Sequence, residues 1–195
     1  MPAFECRLIQ TPNARVAVQE LLGIVSSRSS VGAARILAVF DFHGMLDNDF
    51  RLSCSVIADL QRSGVDIACL SFSRAAGTIQ RSHAYLQNLC RATGVSIPFI
   101  ISPQPLVRQC RFRGDWAKAD FFVELLQSEP DWKLFYSDDR WDILQDIRQQ
   151  TRSDPRLRLV LCDSSLVSVV AQWASAGKGT HFLDPRDVRV VRYQD

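Results

Sequence analysis

Arg35-Ile36-Leu37-Ala38-Val39-Phe40 runs directly into Asp41-Phe42-His43-Gly44-Met45-Leu46-Asp47, and this junction decides how the chain is read. The apolar run 36–40 is too short and too continuously apolar for an amphipathic helix, and reads as a strand buried on both faces. It ends in a carboxylate, Asp41, at a place where a chemical group is exposed yet rigidly held. Gly44, three positions on, allows a sharp turn with positive φ before the polar Asn48-Asp49. Between the acid and the glycine stands His43.

Outward from this junction the pattern repeats. Runs at 65–70, 95–101, 133–136 and 157–162 are likewise short and largely apolar. Segments 50–62, 75–91, 115–128 and 139–151 lie between them with helical spacing, as in Leu52, Val56 and Leu60 or Ile143 and Ile147. Repeated β-α-β predicts an α/β fold: a doubly wound, Rossmann-like parallel sheet of about five strands, with helices on both faces and right-handed crossovers. Thr11-Pro12 is expected to cap and open an N-terminal helix over about 12–27, with Val16, Leu21, Leu22 and Val25 as its apolar stripe. A further helix is expected at 164–174, then a loop and a short strand or irregular tail to 195. With no repeat, low-complexity tract or linker, the expectation is a single domain over 1–195 with its core at about 35–163.

Composition narrows the classes. A chain of 195 residues, 47% hydrophobic and 23% charged, can bury one sizeable core, and its formal charge of +2 gives no overall case for nucleic-acid binding. The six cysteines have no C-x-x-C spacing, and Cys54, Cys69 and Cys162 sit in apolar surroundings. They read as reduced thiols used as small hydrophobes. The N-terminus lacks a basic region followed by a long apolar run, and no apolar stretch approaches the ~18 residues that span a bilayer. The expected setting is intracellular and cytoplasmic, without a membrane partner.

In an open parallel sheet, ligands bind beyond the carboxyl ends of the strands near the switch point. Here those ends carry Asp41, the Ser71-Phe72-Ser73 stretch and Ser137-Asp138-Asp139, with Lys118 near the start of the helix preceding the last of them. An acid, a hydroxyl, an amine and an acid pair are thereby expected on one edge.

At these residues the chain resembles the haloacid dehalogenase-like superfamily of phosphohydrolases, over roughly 35–163. Its first motif, a strand followed by D-x-D-G-x-[LTV], is met by A-V-F-D-F-H-G-M-L. The second, a strand ending in Ser or Thr, is met by I-A-C-L-S ending at Ser71, and the third, a basic residue at a helix start, by Lys118. The fourth, a strand followed by G-D-x-x-x-D or a D-D variant, is met by L-F-Y-S-D-D-R-W-D at 134–142.

The resemblance implies a strand order of 5-4-1-2-3 and a capless or minimally capped enzyme, as well as a role for each matched residue. Asp41 would be the nucleophile that forms an aspartyl-phosphate. Ser71, or Ser73 in a shifted register, would hydrogen-bond a phosphoryl oxygen. Lys118 would set a positive charge against the phosphoryl group and the crowded carboxylates. Mg²⁺ would be held by Asp41, the backbone carbonyl of His43, Asp138, and Asp139 or Asp142. Asp142 has an alternative place as a first-turn acid favoured by the helix dipole.

One departure matters: the family's phosphatases carry a second aspartate, the general acid and base, where this chain has His43. Imidazole is chemically suited to that work near neutral pH, although bulkier than a carboxylate. Losing the acid altogether typically costs about 10²- to 10⁴-fold in rate. Three readings follow: a Mg²⁺-dependent phosphohydrolase or phosphotransferase using His43; a weak or inactive relative serving as a phosphate-binding or regulatory module; or another reaction on the same scaffold, such as dehalogenation.

Between the first two motifs, 45–64 holds one helix and leaves no room for a large cap, so the site is expected to be open. Capless members of this superfamily tend to act on macromolecules. The loop 102–114, with Arg108, Arg111, Arg113 and Phe112, and nearby Trp116, offers a basic, aromatic rim suited to a phosphorylated polymer or phosphopeptide. The expected partner is a phosphorylated substrate of this kind, with nucleic-acid phosphate ends as one hypothesis and a solvated arginine-rich loop as the plainer alternative.

Overall fold

A computed structural model describes residues 4–11, 13–26, 35–71, 76–101, 116–162 and 189–191. In chain order the elements are β1 (Leu8–Gln10), α1 (Ala14–Ser26), β2 (Ile36–Phe40), α2 (Phe50–Arg62), β3 (Asp66–Ser71), α3 (Ala76–Thr93), β4 (Phe99–Ile101), α4 (Trp116–Ser128), β5 (Lys133–Asp138), α5 (Trp141–Gln150), β6 (Leu157–Cys162) and β7 (Arg189–Val191). The strands form one sheet in the order β1-β4-β3-β2-β5-β6-β7, and every neighbouring pair is parallel. The fold is therefore α/β and doubly wound.

Alternation along the strands builds the layers. Leu37 and Val39 of β2 point into one apolar cluster with Val18 and Leu21 of α1, Phe122 and Leu125 of α4, and Ile143 and Ile147 of α5. Ala38 and Phe40 point into the opposite cluster with Ile57 and Leu60 of α2 and Leu86 and Leu89 of α3. Because β2 is covered on both faces, its residues must be apolar at every position, which is why the run 36–40 shows no alternation of its own.

Several boundaries differ from the sequence expectation. Among the described residues the sheet has seven strands instead of about five. The two additional edge strands are three residues each: β1 is too short for a periodic signal, and β7 falls where a short strand or irregular tail is expected. Strand β4 begins at Phe99 and not at 95: Val95 and Ile97 are buried, but Pro98 has no N–H to give the ladder. The carbonyl of Pro98 still accepts from the Cys69 N–H at 2.9 Å. Helix α1 begins at Ala14, and Asn13 caps it, its Oδ1 accepting from the Val16 N–H at 3.0 Å.

Cys6, Cys54, Cys69 and Cys90 are free thiols. No helix among the described residues is long and apolar enough to cross a membrane. Ser73, the segment 102–114, the expected helix 164–174 and most of the tail lie outside the described residues.

Candidate functional site

After β3 and β4 extend the sheet on one side of β2, the chain returns to the other side of β2 as β5. The switch point lies between these two central strands, and both end there in acids. Phe40 stands beside Ser137 in the register, and the Asp41 N–H donates to the Ser137 carbonyl at 3.0 Å. That bond continues the ladder one residue beyond β2 and brings Asp41 level with Asp138.

Lys118, in the first turn of α4, joins the two. Its Nζ donates to Asp41 Oδ1 at 3.0 Å and to Asp138 Oδ2 at 2.8 Å. Relative exposures are 7% for Asp41, 2% for Lys118 and 0% for Asp138, so this is an ion triad out of water, not a surface salt bridge. A buried ammonium is tolerated only with close counter-charges. Burial disfavours the charged lysine, but Asp41 and Asp138 together outweigh it and raise its pKa.

The carboxylates are less comfortable. Burial pushes Asp41 up to about 6; Lys118 pulls it down and Asp138 pushes it up again. Asp139 is raised as well, by desolvation and by the charge of Asp138. Ligand oxygens of Asp41, Asp138 and Asp139 lie within 4.8 Å of one another, with Asp139 at the exposed rim. Three carboxylates around one lysine leave an excess of two negative charges when all are ionised. Oxygen donors and that excess suit a hard divalent cation, so the residues present fit Mg²⁺ on charge and donor type.

The turn after Asp41 fits around this group. His43 has φ −75° and ψ 135°, and Gly44 has φ 73°. A Cβ built on Gly44 would lie 2.6 Å from Asp139 Oδ2, so the missing side chain makes room for the third acid. Asp47 closes the turn, its Oδ1 accepting from the Gly44 N–H at 2.8 Å and its Oδ2 paired with His43 Nδ1 at 3.1 Å. The His43 ring lies edge-on to Phe42, with its side chain 48% exposed.

Ser71 ends β3 beside Ile101, 1% exposed, and its Oγ has no hydrogen-bond partner among the described residues. The Ser137 hydroxyl is equally buried and unpartnered. Buried hydroxyls are nearly always satisfied, so such a pair at the end of a sheet is consistent with groups awaiting a ligand or water.

Of the acids expected from sequence, the structure gathers Asp41, Asp138 and Asp139, and leaves Asp142 outside the group. The Asp142 side chain is 68% exposed and faces Arg140, whose Nε donates to Oδ1 at 3.1 Å. That hydrogen bond holds its pKa below the usual carboxylate value.

Two further residues, which the motifs do not single out, touch this group. Tyr136, fully buried, donates its hydroxyl to Asp138 Oδ2 at 2.5 Å. Its signal was the two-residue period of a strand, which puts positions 136 and 138 on one face. Asp47 was the other, four residues from His43 and unused by the motif. No protein-family model matches the chain, and no curated protein matches it either.

Proposed function

We propose that this chain is a Mg²⁺-dependent phosphohydrolase of the haloacid dehalogenase-like kind, working through an aspartyl-phosphate on Asp41. The observation that carries the reading is Lys118 Nζ bridging Asp41 Oδ1 and Asp138 Oδ2 at the switch point, from three stretches remote in sequence. A buried carboxylate held at a strand end beside a fixed cation suits nucleophilic attack on phosphorus, because position and charge are set before the substrate arrives.

In this reading Asp41 attacks phosphorus through Oδ2, the oxygen the lysine does not engage, and the ester P–O bond breaks as the new one forms. His43 gives a proton to the departing alkoxide and then takes one from the water that cleaves the aspartyl-phosphate, which returns Asp41 and releases inorganic phosphate. Lys118 opposes charge on the phosphoryl oxygens, and Ser71 offers its unpartnered hydroxyl to one of them. Asp41, Asp138, Asp139 and the His43 carbonyl would hold Mg²⁺, which supplies the charge neutralisation that lets a phosphate dianion approach three carboxylates. Only a turn and α2 separate β2 from β3, so nothing inserted there covers the site. This favours a large or exposed phosphorylated substrate.

A second reading, a catalytically weak phosphate-binding module, draws on one observation: the imidazole replacing the usual acid is half-exposed and tied to Asp47. Hydrolysis of an aryl phosphate, with and without Mg²⁺, by the parent, Asp41→Asn and His43→Asp separates the two. The enzyme reading expects Mg²⁺-dependent turnover abolished by Asp41→Asn, and equal rates for that variant and the parent would overturn it. Phosphate binding without turnover, with activity appearing on His43→Asp, would establish the module.

A further inference from the structure

Tyr136 heads the fully buried side chains in size, and its hydroxyl is spent on an acid where a backbone carbonyl would have satisfied it. The ring is packed in place, 4.7 Å between centroids from Phe122 and 5.9 Å from Lys118 Nζ. Its direction is therefore set by the core.

Counting lone pairs on Asp138 shows the consequence. An ionised carboxylate has about four acceptor sites, two on each oxygen. Oδ2 receives Lys118 Nζ at 2.8 Å and the Tyr136 hydroxyl at 2.5 Å, which fills it. Oδ1 receives the Arg140 N–H at 2.9 Å, which leaves one site of the four for a hydrogen bond from Asp139 or for a cation shared with it. A cation can take Asp138 through Oδ1 alone.

We infer that Tyr136 is a positioning residue that closes Asp138 Oδ2, enforces one-oxygen coordination and thereby selects Mg²⁺ over Ca²⁺. The inference rests on the divalent-cation part of the proposed function. Mg²⁺ demands near-octahedral geometry with short bonds to single oxygens, whereas Ca²⁺ accepts more ligands and readily takes a carboxylate through both oxygens. Removing the hydroxyl reopens one acceptor site on Oδ2 and frees the carboxylate to turn. The larger ion gains a binding mode and the smaller one loses its fixed ligand.

The test is the affinity of the full chain for each metal alone, by calorimetry, in the parent and Tyr136→Phe. Mg²⁺ affinity is expected to fall about tenfold, as for other outer-shell partners of metal ligands, with Ca²⁺ affinity unchanged or higher. A merely structural hydroxyl would weaken both metals together, and an equal change in the two, or none, overturns the inference. A parent that binds neither metal overturns the cation site itself, and the inference with it. Should Tyr136→Phe not fold, labelling with 3-fluorotyrosine replaces it. The chain has three tyrosines, so a fluorine resonance that shifts with Mg²⁺ in both the parent and the Tyr85→Phe/Tyr193→Phe double variant supports the role, and none shifting removes it.

Discussion

Gly44 and Gly64 share a left-handed backbone, at φ +73° and +74°, yet only Gly44 has a neighbour where a side chain would go. An alanine at either position meets a strained conformation worth about 1–2 kcal/mol. Gly44→Ala should in addition displace the end of the Asp139 side chain, so the two variants should lose similar thermal stability while only Gly44→Ala weakens the proposed Mg²⁺ binding. Calorimetry and melting on the pair check this. Asp41 carries a stability prediction of its own. Its pKa in the folded chain is raised from 3.8 to about 6, chiefly by burial, so the native state holds this proton more tightly than the unfolded chain. Its contribution is then most favourable below 3.8 and is lost as pH rises through about 6, a change on the order of a few kcal/mol. Without divalent cations, Asp41→Asn should melt higher than the parent at pH 7–8, with the difference shrinking towards pH 4. A lower melting point at neutral pH would show that the pairing with Lys118 outweighs the burial of the charge.

At the scale of elements, the placing of Lys118 depends on how helix α4 is anchored at the far end of its run. Its C-terminus is gripped by Arg156, which lies just before β6. The guanidinium donates to the carbonyls of Leu126, Glu129 and Pro130 at 3.1, 3.1 and 2.8 Å, and to Asp154 through Nε and Nη2 at 3.0 and 2.7 Å. Carbonyls at a helix end have no intrahelical partner, so one planar cation satisfies several at once. Arg156→Met, which keeps the apolar stem, should cost about 1–2 kcal/mol, readable in urea unfolding. Burial works against the ionised Asp154, but Arg156 wins and its pKa is lowered from 3.8. A depressed acid contributes above its unfolded value and loses that contribution as pH falls below it. The stability gap between parent and Arg156→Met should therefore narrow below about pH 4.

Over the whole molecule, the sheet order places two strands far apart in sequence side by side at the switch point, and α4 delivers the cation between them. If the acid cluster holds Mg²⁺, saturating metal at about 100 times its dissociation constant should add about 2.7 kcal/mol, or roughly 5–10 °C in melting temperature for a chain of this size. The gain should vanish in Asp138→Asn. The sequence by itself determined the alternation of buried strands and helices, because a strand covered on both faces must be largely apolar, and β2, β3, β5 and β6 have enough residues to show it. It also pointed to Asp41, Ser71, Lys118 and Asp138, since strand ends and helix starts follow from the same periodicity. The three-residue edge strand β1 left no such trace, being held by pairing with β4 and not by a pattern of its own, and β7 was legible only as a short strand or irregular tail. Tertiary structure alone decided that Asp139 joins the acids and Asp142 does not: the choice depends on the space beside Gly44 and on Arg140 drawing Asp142 outward. The two-residue period of β5 puts Tyr136 and Asp138 on one face, but only the packed core fixes the hydroxyl on the carboxylate.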